Sequence, residues 1–128
     1  MDNNMEVKSL VGASSEEVAQ FIYDVLDSKK GKNVKTIKVG EKTVIADYFV
    51  IANGTSTTHT RGLADEVDYQ LGEKGENPDH IEGIDGASWI AMDYHDIVVH
   101  VFYKDTRDTY SLEKLWSDGE NIDISTLM

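Results

Sequence analysis

The sequence predicts an α/β domain in which a mixed β-sheet is packed with helices. Two observations carry this. Three segments place apolar residues at helical spacing, and five shorter ones are apolar or alternating runs of strand length. Their order, α-β-β-α-β-β-β-α, is that of a sheet whose apolar side is covered by helices. With 128 residues the chain is long enough for one domain, residues 1–128, to bury a core without disulfides or metals.

The first helix is expected over residues 15–28. Val18, Phe21, Ile22, Val25 and Leu26 recur at helical spacing, and Ser14 with Glu17 matches a capping box. The stretch "KKGKN" ends it. "VKTIKVG" alternates and is lysine-rich, which suits a solvated or edge strand. "DYFVIA" is more apolar and reads as a central strand. Gly54 then permits a tight turn, and Ser56 or Thr57 caps a second helix with the stripe Leu63, Val67 and Leu71, and Ala64 beside it. Gly62 inside that helix costs about 1 kcal/mol relative to alanine. "GEKGENP" terminates it.

"DHIEGID" is a short strand candidate. "SWIAMDY" and "IVVHVFY" are strong ones, joined by His95-Asp96 as a two-residue hairpin connection. "KDTRDTYSLEKLW" reads as a last helix, capped by Asp105 or Thr106, with Leu112, Leu115 and Trp116 on one core-facing stripe. Arg107 and Glu113 read as surface pairs or as ties from that helix to the sheet.

If residue 94 pairs with residue 97, the hairpin has two unlike faces. Ile90, Met92, Tyr94, Ile97, Val99 and Val101 form an aliphatic face suited to a helix-packed core. Trp89, Ala91, Asp93, Val98, His100 and Phe102 form the other, whose mixture of aromatic and polar groups suits a binding surface better than burial. A three-residue turn would move Trp89 and Asp93 to the aliphatic side, so the assignment hangs on register.

The chemistry that can be excluded is broad. With no cysteine there is no disulfide, thiolate zinc site or thiol nucleophile. Gly54 and Ser56 after a strand supply half of a phosphate cradle. The other half is missing: no Asp-x-Asp pair follows for magnesium, Asp93 and Asp96 merely flank a turn, and no lysine follows the glycine, although Arg61 is near. His95 and His100 do not converge in a hairpin, and His59 and His80 lack a partner at ligand spacing, so no metal or other cofactor is expected. No Gly-x-Ser-x-Gly elbow supports a triad.

The charge is uneven. Of 24 acids and 12 bases, residues 1–61 hold 8 of each, while residues 62–128 hold 16 acids and 4 bases, so the whole net charge of −12 lies in the second half. That field repels phosphate backbones and attracts a basic protein, so no direct nucleic-acid specificity is expected. Solubility is the plainer use of such acidity. "MDNNMEVKSL" has no apolar h-region and the longest apolar runs are strand-sized, so neither a signal peptide nor membrane association is expected, and the localisation expected is cytoplasmic.

Together "DYFVIANGTS", Glu82-Gly83, "WIAMDYHDIVVHVF" and "RDTYSLEKLW" resemble the ribosomal silencing factor, or Iojap-like, family over roughly residues 10–118. The resemblance implies a fold related to nucleotidyltransferases but lacking their catalytic carboxylates, and a non-enzymatic protein. It further implies binding to the large ribosomal subunit through that subunit's protein number fourteen, on the intersubunit face. Joining of the small subunit would be blocked and translation lowered in starvation or stationary phase. A homodimer is also implied. The family's strand motif falls on Trp89, Asp93, His100 and Phe102, and its Glu-Gly pair on Glu82 and Gly83; His95 stands where glycine is common. Face and composition then give a partner-binding set of Glu82, Trp89, Asp93, Val98, His100 and Phe102, with Trp89 and Phe102 as anchors and Glu82 and Asp93 pairing with basic groups. Two other readings stand beside it: a small nucleotidyltransferase or nucleotide-binding protein using the Gly54–Ser56 turn, and a dimeric adaptor for another basic protein.

Overall fold

Helix α1 spans Ser15–Ser28 and starts where the capping box places it. Ser14 Oγ accepts from the Glu17 backbone N–H at 3.2 Å, and Glu17 Oε1 accepts from the Ser14 N–H at 3.0 Å. Two of the donors that a helix start leaves orphaned are thereby satisfied. Its buried stripe is Val18, Ala19, Ile22, Val25 and Leu26. In this computed structural model, residues 9–40 and 46–103 are described. The expected helix over residues 104–116, with Leu112, Leu115 and Trp116, lies outside them.

The remaining elements are β1 (Lys32–Lys38), β2 (Tyr48–Gly54), α2 (Thr57–Glu73), β3 (His80–Glu82), β4 (Trp89–Asp93) and β5 (Ile97–Tyr103). The five strands form one sheet in the order β1-β2-β5-β4-β3. β2 runs parallel to β5, and the other three pairings are antiparallel, so the sheet is mixed. The order accounts for composition. β2 lies between two neighbours and buries Phe49, Val50, Ile51 and Ala52, whereas the lysine-rich β1 is an edge. No helix among the described residues is long and apolar enough to cross a membrane.

Both described helices pack on one face. Leu63, Ala64, Val67 and Leu71 of α2 and the stripe of α1 meet Val50, Ala52, Ile90, Met92, Tyr94, Ile97, Val99 and Val101. The aliphatic hairpin face therefore is the helix-packed core. The opposite face is also buried, which corrects the expectation from its composition. Phe49, Ile51, Trp89, Ala91, Val98 and Phe102, with Val39 and Ala46, form a second apolar cluster that takes no residue from either described helix.

Candidate functional site

The hairpin has the register on which the face argument depends. Trp89 pairs with Phe102, Ala91 with His100 and Asp93 with Val98, and the Tyr94 N–H donates to Ile97 O at 2.8 Å to close the two-residue turn. His95 has φ of 69°, the left-handed conformation that such turns ask of their first residue. Asp93 helps hold it there, because Oδ1 accepts from the His95 N–H at 2.9 Å. On the other side β3 pairs His80 with Asp93 and Glu82 with Ala91. Facing residues of paired strands share a side, so Glu82 joins Trp89, Asp93, Val98, His100 and Phe102 on one face. The six predicted residues are brought together.

Their exposure divides them. Glu82 is exposed and Asp93 half-buried. Trp89 retains 9% of its surface, Val98 is buried, and His100 and Phe102 are fully enclosed. Trp89 Nε1 donates to His100 Nδ1 at 3.0 Å, and the Trp89 and Phe102 rings lie 5.1 Å apart. Phe49 meets the His100 ring edge-on at 4.8 Å. Since His100 Nδ1 accepts, its proton sits on Nε2, a buried atom with no partner among the described residues. Burial pushes the His100 pKa down to about 3, which favours the neutral ring near pH 7. These aromatic groups make a buried layer, and the polar groups at its edge are Glu82 and Asp93 with neighbouring Asp79 and His80. His80 Nε2 lies 2.9 Å from Glu82 Oε2, and His95 Nδ1 lies 2.9 Å from Asp79 Oδ2.

The loop leaving Glu82 needs its glycine for two reasons. Gly83 has φ of 83°, and a Cβ there would fall on the Trp89 carbonyl, 3.1 Å from its carbon. Arg61 of α2 holds the loop from beneath, donating from Nε to Ile84 O at 2.9 Å and from a terminal nitrogen to Asp85 O. Sequence reasoning missed this role. A guanidinium that captures backbone carbonyls 23 residues away leaves no signal in spacing.

The Gly54–Ser56 turn is committed elsewhere. A Cβ on Gly54 would come within 2.7 Å of Thr60 Cα, so the glycine lets α2 approach β2. Ser56 Oγ accepts from the His59 N–H at 2.9 Å, as an N-cap does. His59 Nδ1 accepts from the Thr55 N–H, and its other nitrogen donates to Lys29 O, both at 3.0 Å. Turning and capping use these polar groups. Among the described residues no three His, Asp or Glu side chains gather as a metal site would require.

Residues 12–128 match the family model described as "Ribosomal silencing factor during starvation". The chain belongs to the ribosomal silencing factor family. Within it, the chain is 35% identical over 111 residues to ribosomal silencing factor RsfS of Halalkalibacterium halodurans, covering 87% of this chain and 95% of that one. It is 38% identical over 98 residues to the Bacillus subtilis protein of the same name, covering 77% and 83%. A mouse protein named mitochondrial assembly of ribosomal large subunit protein 1 is 33% identical over 106 residues, covering 77% of this chain and 46% of that one. Two crystal structures share the fold. One from Chromobacterium violaceum superposes with a TM-score of 0.79 at 29% identity, covering 81% of this chain and 87% of that one. The other, from Bacillus halodurans, gives 0.72 at 32% identity, covering 85% and 99%.

Proposed function

We propose that this silencing-family chain binds the large ribosomal subunit through that subunit's protein number fourteen, on the intersubunit face. Small-subunit joining is thereby blocked, and translation is repressed in starvation or stationary phase. The observation that carries this is the family match over residues 12–128, nearly the whole chain. It acts without catalysis, in the cytoplasm, and a homodimer is its free form. Occupying the joining surface is sufficient.

The contact face is the one built above. Glu82 and Asp93 pair with Lys and Arg of the partner, and Trp89 is the aromatic anchor at the margin of burial. Val98, His100 and Phe102 serve from below, fixing the Trp89 ring by packing and by the His100 hydrogen bond. The acidity of the second half of the chain speeds the encounter with a basic partner. The test is light scattering from purified large and small subunits, with the protein added first to the large subunit. Loss of the joining signal, restored by excess large subunit, is the expected result. Normal joining at saturating protein overturns it.

A further inference from the structure

The two outer strands carry opposite charge. Lys29, Lys30, Lys32, Lys35 and Lys38 are five of the chain's 12 basic residues, and residues 29–38 contain no acid. All five are exposed on β1 or the turn leading into it. Across the sheet, residues 79–93 hold Asp79, Glu82, Asp85 and Asp93 and no Lys or Arg, while Asp47 and Asp96 lie nearer the Lys38 end. β1 and β3 are the two ends of the strand order, four strand spacings or about 19 Å apart.

That distance changes what the net charge means. At physiological salt the Debye length is about 8 Å, so the carboxylates around β3 are screened at the lysine end, where five lysines outnumber the nearby Asp27 and Asp47. We propose that the β1 edge is a second contact surface, one that takes the phosphate backbone of RNA. The inference rests on the function proposed above only in naming ribosomal RNA as the source. From Lys32 to Lys38 the strand runs about 20 Å, long enough to follow several phosphates. Its apolar residues are half-buried: Val34 packs towards the helix-side core and Ile37 towards the second cluster. An edge that is rich in lysine and carries no fully exposed aromatic or aliphatic side chain fits a phosphate backbone better than a protein surface. The segment is also anchored. Lys29 O accepts from His59, and the Gly31 N–H donates to Leu26 O at 2.8 Å, so the lysines enter the strand from a fixed turn. Guarding an edge against pairing is the simpler use of lysine there, and the experiment separates the two.

The probe is a fluorescent 12-base-pair RNA duplex of arbitrary sequence, titrated with the full chain at 50–200 mM KCl. If about four phosphates are neutralised, affinity falls about 100-fold over that range, and the K32Q/K35Q/K38Q variant shows a log–log salt slope shallower by about two to three. The E82Q/D93N variant keeps the wild-type slope. Absence of RNA binding at 50 mM KCl, or an unchanged slope in the lysine variant, overturns the proposal. So does a lysine variant whose only change is self-association, and so does binding to anionic phospholipid vesicles but not to RNA. Blocked subunit joining without RNA binding would sink this surface alone. RNA binding with unhindered joining would sink the ribosome reading alone.

Discussion

His100 is a buried imidazole that must stay neutral, and this sets an acid limit on the fold. Its folded pKa of about 3 lies below the ordinary value of 6.5, so between those values the unfolded chain holds the extra proton. The contribution is therefore intact above about pH 6.5 and is lost as pH falls towards 3, at up to about 1.4 kcal/mol per pH unit. Urea unfolding of the His100→Phe variant between pH 4 and 6.5 is expected to show a stability slope shallower by about one proton. An unchanged slope would mean that His100 can be protonated in the native state. Tyr94 is the other buried orphan, its hydroxyl unpartnered among the described residues and its pKa raised by burial and by Asp68 and Glu76 nearby. Tyr94→Phe is expected to leave thermal stability unchanged or raised by about 1 kcal/mol, because it deletes an uncompensated polar group. Gly83→Ala has no such escape. It forces both a left-handed backbone and a clash with the Trp89 carbonyl, and a loss above about 2 kcal/mol is expected in denaturant titration.

The elements were legible in the sequence wherever the signal was local. The Ser14–Glu17 box, the α1 stripe and the largely apolar β2 each announce themselves within a dozen residues. The two-residue hairpin was legible too, and His95 shows why: an Asp two residues earlier supplies the hydrogen bond that stabilises a conformation usually left to glycine or asparagine. Burial of the Trp89 face was not legible. Period-two alternation says which side chains share a face, whereas what covers that face depends on distant parts of the chain. The same holds for the loop after β3, whose support comes from α2 through Arg61. Arg61→Gln is expected to leave global stability within about 1 kcal/mol while speeding amide exchange in residues 84–87, as a loop loses its tie. Equal protection in the variant would show that Gly83 and the Ala87-to-Gly83 hydrogen bond suffice.

For the molecule as a whole, the six residues picked as a contact face do lie together, yet they divide into a polar rim and an enclosed floor. That division decides which substitutions report on binding. Trp89→Ala removes packing on Phe102 as well as any partner contact, so it reads fold and function together. Glu82→Lys is cleaner, since about half of the side chain's surface is exposed. It is expected to weaken large-subunit binding at least several-fold, mainly through a slower association that is flattened by added salt, with an unchanged melting point. Unaltered association kinetics would remove Glu82 from the contact.

The separation of lysines at β1 from carboxylates around β3 has one more consequence. The lysines of β1 and the carboxylates around β3 lie at opposite ends of the sheet, so close to a charged surface the two ends are pulled differently. If both proposed contacts hold, a large subunit met within a Debye length would favour the pose with the lysine end at the phosphates and the acidic end at a basic protein. Orientation, ordinarily the slow search in docking, would then be narrowed over the last few ångströms of the encounter.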